Sequence, residues 1–250
     1  MHNYEREFEQ RLAALGEDSR VCATFGFTEF VVHFVAGSDP ETFDRVNEHP
    51  AFWNGVVGGL QTATFVALGR IYDDDSKSHT ASEVLTYAEE HIGIFSRDSL
   101  AQRKVNSNAL SPKEAQQYAT EAYAPKRGEL SHLRKEFEAL RELFREKVQP
   151  IRHQVFAHKS KLTHEARDEL FTRLPMRELE SLVVFPVQLH RVLWGLYHNG
   201  VAPQLESLPS NISDVMKNLP ADRVNTWEHL HVARAASDFL QWLRAQPRQE

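Results

Sequence analysis

Between Gly128 and Val148 the apolar residues recur at steps of three and four: Leu130, Leu133, Phe137, Leu140, Phe144, Val148. That is the period of an α-helix with one buried seam, and Arg and Glu fill the other faces. Pro150 follows two residues later, where it must kink or restart the chain, because proline lacks the N–H that the ladder uses. Elsewhere no run alternates apolar and polar residues for long enough to read as a strand. Leu and Ala dominate (25 and 24 residues) while Ile is scarce (5), a composition that favours helix. The expected fold class is all-α.

Gly- and Pro-bearing connections divide the rest of the chain into further helical patterns. The first covers about Tyr4 to Ala36, with a break allowed near Gly16. The second runs from about Phe52 to Tyr72 with Val56, Leu60, Ala63, Ala67 and Ile71 on one stripe; Gly58, Gly59, Ala63 and Ala67 would permit close helix packing. Thr80 to Glu83 reads as a capping box for a helix through about His91. Shorter candidates are Arg97–Val105 and Pro112–Glu121. A stretch from about Met176 to Tyr197 is expected to kink or split at Pro186. A last helix, from about Asp222 to Ala245, carries Trp227, Leu230, Ala233, Phe239 and Trp242. Together these predict one all-α domain over residues 1–250, a helical bundle with additional N- and C-terminal helices.

Several function classes fall away. A single cysteine, Cys22, forms no disulfide framework and no cysteine zinc site. The most apolar stretch, Val21 to Ala36, is interrupted by Glu29 and His33 and reads as too short for a membrane span. It follows a charged run, unlike a secretory signal. The expectation is a cytoplasmic chain with no membrane partner. His229 and His231 are two apart and so face different ways on a helix, which disfavours a shared metal. Asp73-Asp74-Asp75 precedes a helix start and reads as a solvated terminus. Gly58-Gly59 lacks the following Lys-Ser/Thr of a phosphate loop.

One cluster suits chemistry. Arg152-His153-Gln154-Val155-Phe156-Ala157-His158 joins a permanent, planar cation to two groups that exchange protons near neutral pH. Such a set can cleave RNA without metal: one group activates the ribose 2′-hydroxyl, the arginine offsets phosphate charge, and a proton reaches the leaving oxygen. On an ideal helix Arg152 and His158 lie roughly 120° apart. Either the helix starts irregularly after Pro150, or a second copy of the chain completes the site across a twofold axis. A surface Arg and a helix-end His beside a charged loop remain the plain alternative.

This cluster fits the Arg-polar-(three to five residues)-His signature and resembles the HEPN superfamily. The phrase Ala67-Leu68-Gly69-Arg70-Ile71-Tyr72-Asp73, with a Ser-bearing polar loop after it, is similar to the AbiU-like abortive-infection branch. The resemblance covers about residues 50–200. It implies a HEPN-type bundle, a homodimer with the motif at the subunit interface, and metal-independent endoribonuclease activity in a toxin or antiphage defence effector. No cofactor is implied. Arg152 and His158 carry over as the catalytic pair and His153 as the polar helper, with Arg70 and Asp73 as a supporting pair. RNA is the implied partner, with an antitoxin or defence-system protein as a further one. A non-catalytic HEPN module binding nucleotide, RNA or protein is the alternative.

Charge agrees with a local RNA site. The chain totals −6, yet residues 126–161 hold ten Lys and Arg against five Glu, which leaves −11 for the remainder. Lys147, Lys159 and Lys161 are the expected phosphate contacts.

Overall fold

A computed structural model describes residues 3–73, 80–157, 163–206, 211–219 and 227–246. Among these residues every regular element is a helix. In chain order they are α1 (Asn3–Ser38), α2 (Pro40–Asn47), α3 (Pro50–Tyr72), α4 (Ala81–Glu90), a 3₁₀ turn (Ile92–Phe95), α5 (Arg97–Asn106), α6 (Pro112–Glu121) and α7 (Ser131–Leu143). A π-helical stretch (Phe144–Val148), the short turn α8 (Gln149–Ile151) and a second π-helical stretch (Arg152–Ala157) continue the run. Then come α9 (His164–Thr172), α10 (Met176–Asn199), α11 (Ile212–Lys217) and α12 (Glu228–Ala245). The all-α expectation is met.

The chain contacts group into two compact units. The first comprises Met1–Ser19, Arg70–Leu143 and Phe185–Ser207; the second comprises Arg20–Gly69, Phe144–Val184 and Leu208–Glu250.

In the first unit Phe8, Leu12 and Leu15 of α1 are buried, as are Leu133 and Phe137 of α7 and Leu189, Leu193 and Tyr197 of α10. A charged residue ties this core together. The Arg103 guanidinium donates to Glu5 Oε1 (2.7 Å), to the Ile94 carbonyl (2.8 Å) and to the Tyr197 carbonyl (2.7 Å). It also lies over the Tyr197 ring, 3.9 Å from the centroid. One side chain from α5 thus joins α1, the 3₁₀ turn and α10, and α6 is fastened separately by a full Ser111–Glu114 capping box.

In the second unit the buried residues include Cys22, Phe27, Phe30 and Val31 of α1, Phe65 and Leu68 of α3, and Phe144, Val148 and Ile151 of the widened run. Glu29 is buried among them at 2% exposure. Gln61 of α3 donates to its Oε1 at 3.2 Å, and its Oε2 has no partner among the described residues. Burial favours the neutral acid, and the Glu29 carboxyl is pushed up to about 7 despite the Gln61 bond.

Several local expectations change. Helix α1 does not break at Gly16, because His190 packs onto it: a Cβ there would stand 2.5 Å from His190 Nε2. The helix runs to 36 residues and reaches the length and apolarity of a membrane span. The apolar stretch Val21 to Ala36 is shorter than the helix that holds it, and its Cys22, Ala23, Phe27, Phe30 and Val31 are buried in the second unit. Helix α10 continues through Pro186 without splitting, with buried side chains before and after it. Among the described residues nothing lies within 4 Å of where a Cβ would stand on Gly58 or Gly59, so these two glycines bring no described helices together. Phe239 and Trp242 are exposed and stack on each other, while His229, Leu230, Ala233 and Leu240 form the buried face of α12. Trp227 precedes the helix as its N-cap.

Two predictions follow from the buried charges. Arg103→Ala strands the Glu5 carboxylate and two carbonyls, and urea unfolding should show a loss of roughly 3–5 kcal/mol. For Glu29, the unfolded carboxyl releases its proton near 4.5 and the folded one near 7. The contribution of Glu29 to stability therefore falls as pH rises across that window and levels off above it, while His198, lowered to about 4 by burial, works in the opposite direction below about 6.5. Glu29→Gln should flatten this slope and stabilise the protein at pH 8 by up to about 3 kcal/mol, read from Tm against pH for both proteins.

Candidate active site

The motif segment begins in irregular helix. In a regular α-helix the Pro150 ring would press on the Glu146 carbonyl, and the Pro150 nitrogen would leave that acceptor unused. The chain answers by widening to i→i+5 hydrogen bonding on both sides of α8, at Phe144–Val148 and again at Arg152–Ala157. Between the two, the Arg152 N–H donates to the Gln149 carbonyl. Pro150 therefore neither ends the run nor leaves it ideal. Val148 and Ile151 stay in the core, and the irregular start anticipated for the motif is present.

Arg152 is half-buried and reaches α3. Its guanidinium lies across the α3 backbone at Gly69, where a Cβ would stand 2.4 Å from Cζ, 2.5 Å from Nε and 2.8 Å from Nη1. One turn away on each segment, Phe65 packs on Phe156 with ring centroids 5.0 Å apart. Phe171 of α9 completes the cluster, 6.2 Å from Phe65 and 6.4 Å from Phe156. Phe65 faces Phe156 and Gly69 faces Arg152, so the two segments run antiparallel with a four-residue step on each. The structure thus joins the Arg-His motif to the upstream phrase through Gly69, a residue that sequence reasoning quoted but gave no role. The matched spacing of Phe65/Gly69 and Arg152/Phe156 was the available signal.

The other expected site residues are placed as follows. His153 and Gln154 are exposed beside Arg152. His158, Lys159 and Lys161 lie outside the described residues. Lys147 is held by Glu178 of α10 at 2.5 and 2.7 Å, so its charge is already matched inside the second unit. Arg70 and Asp73 belong to the first unit. Arg70 pairs with Asp18 of α1 at 3.3 Å, a partner the local spacing does not announce. Arg134 and Arg141 of the basic stretch are likewise engaged, with Glu89 (2.8 Å) and Glu138 (3.1 Å). Glu178 and Glu89 lie outside residues 126–161, so part of the positive excess of that stretch is matched from other helices, which arithmetic along the chain does not count.

The all-helical fold and the Arg-His motif agree with the HEPN class. The family model HEPN_AbiU2, described as AbiU2, matches residues 4–230, and the chain belongs to that family. The match takes in most of α1 and the start of α12, beyond the 50–200 core that the motifs alone had indicated. No curated protein and no solved structure matches the chain.

The aromatic cluster predicts its own cost. Phe156→Ala removes a half-buried ring from two aromatic neighbours and should destabilise by about 2 kcal/mol, less than a fully buried Phe would. Urea titration monitored by circular dichroism measures it.

Proposed function

We propose that this chain is a metal-independent endoribonuclease of the HEPN type, acting as a toxin or antiphage defence effector. The observation that supports this best is Arg152: its guanidinium is lodged on α3 at the head of the motif, with His153 exposed beside it. Membership of the AbiU2 family supports the same reading. In the proposed reaction a base takes the 2′-hydroxyl proton, the 2′-oxygen attacks phosphorus, and the 5′-oxygen departs with a proton. The products are a 2′,3′-cyclic phosphate and a free 5′-hydroxyl. His158 serves the proton transfers, and His153 assists as a polar neighbour. Arg152 offsets the charge that builds on the phosphate oxygens, through parallel N–H donors that match their geometry. A homodimer would bring two such sets to one cleft.

Purified protein should cleave RNA in excess EDTA and leave cyclic phosphate ends. Arg152→Ala and His158→Ala should each lower the rate by about 10²-fold or more, with the oligomeric state by light scattering unchanged. Full activity in both variants, or cleavage only with added metal, would overturn the assignment. RNA binding without turnover would identify a non-catalytic module.

A further inference from the structure

We infer that Gly69 is a positioning residue: the bare α3 backbone at this one position is the seat that sets where the Arg152 guanidinium points. The inference rests on the ribonuclease reading for its functional consequence, but its geometry stands by itself.

A guanidinium is a flat group on a flexible stem and loses several rotamers when it is fixed. Here it lies against a backbone position that carries no side chain. The three nearest atoms to a Cβ at residue 69, Cζ, Nε and Nη1, belong to the far end of Arg152. None of the three is backbone, so an added methyl is met first by the head of a flexible side chain, which gives way at lower cost than a helix. The Phe65–Phe156 contact one turn away preserves the antiparallel register when the head moves. Gly69 also sits inside a helix, where glycine is a poor helix former. A helix former at this position should therefore stabilise the fold and damage the site at the same time, an opposition that a purely structural glycine does not produce.

The neighbouring glycines supply an internal control. Gly59 lies on the same helix with open space around it. Gly59→Ala should raise Tm slightly and leave cleavage unchanged.

The test compares wild type, Gly69→Ala and Gly59→Ala as full-length chains. The readouts are Tm, single-turnover RNA cleavage in EDTA across RNA concentrations, and the NMR signal of the Arg152 Nε–H, assigned by its loss in Arg152→Lys. Gly69→Ala is expected to keep or raise Tm and to shift or broaden the Arg152 signal. It should lower the maximal cleavage rate roughly 10- to 100-fold, the scale of a misplaced catalytic group, with half-saturation little changed. An unmoved Arg152 signal overturns the seat, whatever the rate does. A moved signal with wild-type cleavage overturns its functional role. If wild type itself fails to cleave RNA, the ribonuclease reading falls, and the Arg152 signal alone decides whether Gly69 seats the arginine.

Discussion

Pro150 is the constraint from which the second unit's arrangement follows. It sits inside a helical run that begins at Ser131 and continues to Ala157, at a place where the seam must keep Phe144, Val148 and Ile151 in the core. A proline there leaves the Glu146 carbonyl without its usual donor and crowds it. Breaking the helix would expose the seam. Widening it to π geometry on both sides keeps the apolar residues buried and accommodates the ring. The same widening governs the direction in which Arg152 leaves the helix, and that direction leads to α3 at Gly69. A defect in the ladder and the presentation of a charged side chain are thus one event, in keeping with the frequent placement of π turns at functional sites.

Charge is used in three different ways within the described residues. Arg103 is structural: it spends its donors on Glu5 and two carbonyls and its face on Tyr197. Glu29 is buried with Gln61 at 3.2 Å and His33 at 3.8 Å from its Oε1, and favours its neutral form well above the usual carboxylate range. Lys147, Arg134 and Arg141 are matched by glutamates, two of them from other helices. Part of the local excess of positive charge in residues 126–161 is thus matched by Glu178 and Glu89. Arg152 is partly exposed and lies against the α3 backbone at Gly69.

The periodic features were legible because they depend on chain neighbours alone. The 3–4 stepping from Leu130 to Val148, the Thr80 cap and the Pro112 start of α6 all reappear in the structure. Misreadings arose where the deciding partner lies far away in the chain. Gly16 looks like a helix break until His190 is seen packed on it. Gly58 and Gly59 look like a packing groove, yet they face open space, while Gly69 on the same helix makes the close approach. Of the apolar residues that the last helix carries, Phe239 and Trp242 are exposed, and α12 turns its histidine, leucine and alanine face inward.

The sequence by itself determined that the chain is helical, that its family is HEPN, and that Arg152, His153 and His158 form the motif. Each of these is carried by residue type and local spacing. Only the tertiary structure decided that α3 and the motif segment run antiparallel in a register of Phe65 on Phe156 and Gly69 under Arg152. It also decided that Lys147 is committed to Glu178 and Arg70 to Asp18. The physical reason is the same in each case. Which residue of one helix meets which residue of another depends on how far each turn is wound and on what side-chain volume is absent at the contact, and a sequence read along its own length records neither.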